Sequence, residues 1–201
     1  MHILIHGTPE QVAVLAKKID TSIHKVSVFN GDETTIPEAD LYMDALFEEN
    51  KPVFNRIKHK PVLVNAVITP SAQLAENMIR FNGWGGFISQ EKLEIAGKEN
   101  AIQQVAKQLA DAGIETVISA DTCGMIGPRV VAMIINEAYF ALAENISTSA
   151  EIDIAMKSGT NYPYGPFEWC EMIGIEKIKN LLHHLRIENS RYEIAPSLIK
   201  N

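Results

Sequence analysis

Gly7 ends a short β-branched run, His2 to His6, and a stretch with helical periodicity follows it. A strand that ends on glycine and leads into a helix can set a pyrophosphate over the helix N-terminus, where free amides point outward. That fingerprint needs glycine at three positions, and the second and third here are Pro9 and Val12. Proline removes an amide donor and adds bulk where backbone should approach phosphate. The acidic residue expected at the end of the second strand is Asn30, with Asp32 two positions on. Gly7 and Asn30 are therefore cofactor-binding candidates, and an ordinary strand–turn–helix accounts for the same residues.

The segment RFNGWGGFIS, Arg80 to Ser89, sets three glycines among aromatics. Such a loop lets backbone approach a flat ligand with Trp84 or Phe87 stacked on it; equally, Trp84 plugs a gap in the fold. Glu94 follows in LEIAG, and Asn136-Glu137 lies inside an apolar helix, either hydrogen-bonded in the core or facing a cleft. The six histidines show no metal-ligand spacing, and His183-His184 read as solvent-facing. No G-x-S-x-G and no P-loop occurs, and no metal is expected.

With 18 Lys+Arg against 25 Asp+Glu, the net charge of −7 argues against a nucleic-acid surface and against extended binding to anionic membrane. Cys123 and Cys170 have no C-x-x-C spacing, so free thiols in a reducing compartment are expected. The opening MHILIHGTPEQ lacks the pattern of a signal peptide, which makes the cytoplasm the expected location.

The elements that must position these residues alternate over the first two-thirds. Strands are expected at His2–His6, Lys25–Phe29, Asp40–Leu46, Pro61–Val67, around Lys92–Ile95, and at Glu115–Ser119. Helices are expected over Pro9–Lys18, with Thr8 as N-cap, and Asn100–Ala112. This is an α/β layer on a mostly parallel sheet. After Asp121 the pattern is wholly helical: Pro128 to Glu144, a helix opened by the Thr148/Glu151 capping box, and helices opening at Pro166 and Glu176. Two domains follow, 1–121 and 122–201. The Pro128–Glu144 helix is apolar around most of its circumference, so pairing with a second copy through the helical domain is expected.

Arg129 to Ile178 closely resembles the C-terminal domain of 3-hydroxyacyl-CoA dehydrogenases. Four elements carry the resemblance, in order: Asn136-Glu137-Ala138, Ile152-Asp153, Pro163-Tyr164-Gly165-Pro166-Phe167 and Ile173-Gly174. The terminal RYEIAPSL is similar to the family's closing segment. Upstream, ADLYMDALFEEN and PVLVNAVITPSAQLAE resemble its fourth-strand motif and the strand and turn after it. The helical hairpin that the family inserts before Ala39 is replaced by a short connection.

The resemblance implies a shortened Rossmann-like domain followed by a helical dimerisation domain. It also implies NAD as cofactor, an acyl-CoA ligand, and hydride transfer at the substrate's C3 with a His base oriented by a Glu. Carried over position by position, the Glu falls on Glu94 and the His on Asn82. The Ser of the family's Asn-Thr-Ser turn falls on Val67, with Asn65 retained, and the substrate-binding Asn falls on Pro128. Asn82 cannot accept a proton at neutral pH, and Val67 and Pro128 offer no side-chain hydrogen bond. The expectation is a family-like protein with impaired or lost hydride transfer, in which Trp84, Phe87 and Asn136 line the substrate side. The alternative is a non-catalytic homodimer that binds another small molecule or regulates. A third reading relocates the base to His6.

Overall fold

Alternation of side chains builds the first unit. In β1 (His2–His6), Ile3 and Ile5 point to one face and Leu4 to the other. The same alternation separates Leu41 and Met43 from Tyr42 in β3 (Leu41–Asp44), and Leu63 from Val62 and Val64 in β4 (Val62–Asn65). The computed structural model describes residues 1–31 and 35–200. It divides into two units, Met1–Met125 and Ile126–Asn201. Asp32 lies outside the described residues.

With β2 (Lys25–Val28), β5 (Met78–Phe81), β6 (Leu93–Ala96) and β7 (Thr116–Ile118), the sheet has seven strands in the order β2-β1-β3-β4-β5-β6-β7. Every neighbouring pair is parallel except β5 with β6. Helices α1 (Pro9–Lys17) and α2 (Glu99–Asp111) cover one face through Leu15 and through Ile102, Val105 and Leu109. The opposite face is covered by irregular chain that brings Phe29, Phe54, Phe47 and Ile57 over it.

The chain leaves β1 on one side for β2 and returns on the other to β3. The sheet's topological switch therefore lies between the carboxyl ends of β1 and β3, where His6 pairs in register with Asp44. Strand β5 was not expected: its MIRF carries an arginine, and Arg-Phe-Asn-Gly reads as a loop. The strand forms because Arg80, in register with Val64, takes the second-face position and buries completely.

The second unit packs around α3 (Gly127–Ala143). α4 (Ser149–Thr160), α5 (Pro166–Ile173), α6 (Ile175–Glu188) and α7 (Pro196–Lys200) follow. Thr148 and Glu151 form the expected reciprocal cap of α4. Val131, Ile135 and Tyr139 of α3 are buried with Trp169, Ile178, Leu182 and Leu198, while Val130 is half exposed. The two compact units meet at Met125/Ile126.

Candidate functional site

The carboxyl ends of the parallel strands place the candidate groups of the first unit together. At the switch, His6 Nδ1 donates to Asp44 Oδ1 at 2.9 Å. Asp44 also accepts the Leu46 amide at Oδ1 (3.2 Å) and the Val53 amide at Oδ2 (3.4 Å). Phe29 and Phe54 meet the His6 ring edge-on, at centroid distances of 6.3 and 6.4 Å. The carboxylate fixes the proton on Nδ1 and leaves Nε2 facing away.

The Gly7 turn tests whether a dinucleotide fits. The Thr8 amide donates to Gln11 Oε1 at 2.9 Å, and the Gln11 amide donates to Thr8 Oγ1 at 3.2 Å, a complete capping box. Pro9 has no N–H. Gln11 is pinned further by its Nε2 bond to the Ala45 carbonyl, and its Oε1 stands 3.2 Å from where a Gly7 Cβ would be. The Thr8 and Gln11 amides are already engaged, Pro9 offers none, and the Gln11 side chain lies over the turn. These residues do not fit the phosphates of NAD. Asn30, the other cofactor candidate, is exposed at the end of β2.

The loop after β4 is braced from both sides. Glu48 accepts three consecutive amides: Val67 at 3.0 Å, Ile68 at 3.0 Å and Thr69 at 2.8 Å. Arg80 donates to the carbonyls of Ala66 and Val67, each at 2.8 Å, and to Asp121 Oδ1 at 2.7 Å. Asp121 also receives the Ser71 hydroxyl and the Ser71 amide. Burial raises the Asp121 carboxyl, but the Ser71 bonds and the Arg80 guanidinium outweigh it and hold the group below the usual carboxylate range.

Asn82 and Glu94 come together as the resemblance implies. Asn82 Nδ2 donates to Glu94 Oε2 at 3.3 Å, and its backbone amide donates to the Glu94 carbonyl at 2.9 Å. Asn65 sits beside them, donating from Nδ2 to the Ala45 carbonyl and accepting the Gly83 amide, both at 2.9 Å. Gly83 has no room for a side chain: a Cβ would meet Asn65 Cγ at 2.7 Å. Trp84 is 2% exposed, and its amide donates to Asn82 Oδ1 at 3.3 Å. That burial corrects the expectation of a ring open for stacking and fits the gap-filling reading; Phe87 is half-buried.

In the second unit Asn136 donates to the Glu193 carbonyl at 2.8 Å and accepts the Ala195 amide at 2.9 Å. Its amide fastens the C-terminal segment to α3, so the hydrogen-bonded core role describes it and the substrate-side placement is corrected. Pro128 is buried in the first turn of α3. Burial pushes the Tyr139 phenol up to about 12, beside the Cys170 thiol, which burial also raises. His183 and His184 are exposed. Among the described residues no cluster of three His, Cys, Asp or Glu is placed to hold a metal, and no helix is long and apolar enough to cross a membrane.

Glu48, Arg80, Asp44 and Asp121 were not singled out from the sequence. Asp44 and Glu48 lie within the ADLYMDALFEEN motif, which was the signal available. Arg80 and Asp121 offered none beyond an alternating position and a domain boundary.

Comparison with known proteins places these units. Residues 124–201 match the 3-hydroxyacyl-CoA dehydrogenase C-terminal domain. The chain is 33% identical over 114 residues to the 3-hydroxyadipyl-CoA dehydrogenase of Escherichia coli K12, a match covering 57% of this chain and 24% of that protein. It is 30% identical over 105 residues to a 3-hydroxybutyryl-CoA dehydrogenase of Bradyrhizobium diazoefficiens, covering 51% and 36%. The matches thus span well under half the length of these two relatives. Among solved structures, (S)-3-hydroxybutyryl-CoA dehydrogenase from Ralstonia eutropha superposes with a TM-score of 0.72 at 16% identity, covering 99% of this chain and 92% of that one. That likeness establishes the fold, a Rossmann-like sheet followed by a helical domain.

Proposed function

We propose that this chain, whose residues 124–201 match the 3-hydroxyacyl-CoA dehydrogenase C-terminal domain, is an acyl-CoA-binding member of that family in which hydride transfer is impaired or lost. The observation that carries this reading is the Asn82–Glu94 bond: the carboxylate that would orient a base is present, and its partner is an amide. Losing a general base costs about 10²–10⁴-fold in rate. Val67 contributes only its backbone to the neighbouring loop, and at the Gly7 turn the Thr8 and Gln11 amides are engaged with each other's side chains. Because relatives are named as dehydrogenases of hydroxyacyl-CoA thioesters, acyl-CoA is the ligand class.

NADH-dependent reduction of acetoacetyl-CoA tests the reading. The purified chain is expected to run at least about 10²-fold below a complete family dehydrogenase assayed beside it. A comparable rate would overturn the proposal. Asn82→His alone is not expected to restore the rate, because the sealed turn stays sealed.

We propose further that the chain works as a homodimer through its helical unit. An apolar groove of about 260 Å³, lined by Ile134, Ala138, Ala141, Ile152, Met156 and Pro166, supports this, and sedimentation equilibrium decides it. The sealed Gly7 turn favours a second reading, a regulatory homodimer with no chemistry. Calorimetry separates the two, since only the first expects acetoacetyl-CoA to bind.

A further inference from the structure

Asn-Gly occurs at Asn30-Gly31 and again at Asn82-Gly83. Glycine after asparagine leaves the following amide nitrogen unhindered, because no Cβ stands in its approach to the asparagine side-chain carbon. The fold treats the two dipeptides in opposite ways. Asn82 is 1% exposed; its Nδ2 donates to Glu94 Oε2 and its Oδ1 accepts the Trp84 amide, both at 3.3 Å. The Gly83 amide donates to Asn65 Oδ1 at 2.9 Å, and Gly83 is pressed so closely on Asn65 that a Cβ would stand 2.7 Å from its Cγ. Asn30, by contrast, is exposed just past the end of β2, where the Phe29 amide makes its bond to the Ile5 carbonyl at 2.8 Å. Among the described residues neither the Asn30 side chain nor the Gly31 amide has a hydrogen-bond partner. Gly31 has φ +85°, and a Cβ there would meet nothing closer than 3.5 Å.

We propose that Asn30 is a site of spontaneous deamidation, and that the fold directs this modification to Asn30 while shielding Asn82. The Gly31 amide nitrogen attacks Asn30 Cγ; the Cγ–Nδ2 bond breaks, and ammonia leaves with the proton that Gly31 gives up. The product is a cyclic imide joining the two residues. Water then adds to one of its two carbonyl carbons. Opening at the side-chain carbonyl gives aspartate, and opening at the main-chain carbonyl gives isoaspartate, whose backbone runs through the former side chain. Solvent water is the sole co-reactant. Each event adds one negative charge to a chain already at −7. At Asn82 the same movements are blocked. The nucleophilic amide must first leave Asn65, Cγ is fixed through both of its substituent atoms, and burial excludes water. Groups held in this way react only through local opening of the structure. The proposal stands whether or not the chain binds acyl-CoA or transfers hydride.

The test holds the whole chain at mildly alkaline pH in heavy-oxygen water, then follows its peptides by mass spectrometry, so that conversion during the incubation carries the label. Electron-transfer fragmentation separates aspartate from isoaspartate. The Asn30 amide is expected to be lost at least about tenfold faster than the Asn82 amide, because Asn82 reacts only from an opened state. In concentrated urea, where both dipeptides are unfolded, the two rates are expected to converge. Asn30→Gln, at an exposed position that the fold tolerates, is expected to remove the main acidic species on ion exchange, since the longer side chain closes a ring far less readily. Loss at Asn30 no faster than at Asn82 in the native chain overturns the proposal. A preference for Asn30 that persists undiminished in urea also overturns it, by taking the selection away from the fold. An acidic species that accumulates equally in Asn30→Gln overturns it by assigning the modification elsewhere. None of these readouts depends on the acetoacetyl-CoA assay.

Discussion

Replacing Gly165 by alanine would place a methyl carbon 2.3 Å from Asp153 Oδ1 and 2.4 Å from its Cβ and Cγ. No side chain tolerates such approach, so Asp153 must move. It is 9% exposed, and its Oδ1 accepts the Phe167 amide at 2.9 Å, capping α5 from a neighbouring helix because Gly165 has no side chain with which to cap it. Losing a cap costs about 1 kcal/mol, and forcing atoms into a filled site adds about 1–3 kcal/mol. The sum, about 2–4 kcal/mol, should lower the melting temperature by roughly 5–15 °C in a protein of this length. Circular dichroism and the fluorescence of Trp169, which lies on α5, follow the transition. Asp153→Ala removes the cap without the clash and should cost about 1–2 kcal/mol. The double variant should then be no less stable than Gly165→Ala alone, a departure from additivity of at least about 1 kcal/mol. Additive effects would refute the claim that these two residues act as one device.

Three further outcomes follow from the first unit. Gly83→Ala should destabilise by about 2 kcal/mol in a denaturant melt, because its Cβ would meet Asn65 Cγ at 2.7 Å and Phe81 Cε2 at 2.9 Å. Glu48→Ala leaves the Val67, Ile68 and Thr69 amides without their acceptor; it should cost about 1–3 kcal/mol and abolish their protection from hydrogen exchange, and unchanged protection would count against the brace. The Asp121 carboxyl lies below its unfolded value of 3.8, so its contribution is complete above that pH and is lost as pH falls through the lower folded value. Asp121→Asn should therefore be less stable than the parent at neutral pH, by about 3 kcal/mol because Arg80 stays buried, with the gap narrowing in acid melts below about pH 4.

Much of this arrangement was legible because it rests on local rules. The period-2 runs gave β1, β3 and β4, and Thr8 and Thr148 marked helix starts that do carry side-chain caps. The pairing of Asn82 with Glu94, twelve positions apart, was legible only through resemblance, since nothing in the intervening sequence announces an antiparallel β5–β6 contact. Arg80 was illegible for a physical reason. A charged residue at a fully buried position is costly unless every donor finds an acceptor, and those acceptors are backbone carbonyls of Ala66 and Val67 that no residue type encodes. The same holds for Asn136, whose partners lie 57 and 59 residues away.

The backbone braces at the strand ends bear on the proposed function. Glu48 and Arg80 hold the loop after β4 by amides and carbonyls alike, and Asn65 ties that strand end to Gly83. These braces act on backbone and are indifferent to the side chain at residue 67. On the proposed reading, the positions that would exchange a proton or accept a substrate hydrogen bond are Asn82, Val67 and Pro128, and these carry no such group. On the same reading, that braced geometry at the strand ends serves to hold a ligand. If binding is the retained function, acetoacetyl-CoA should raise the melting temperature of the parent, and Glu48→Ala should diminish that rise.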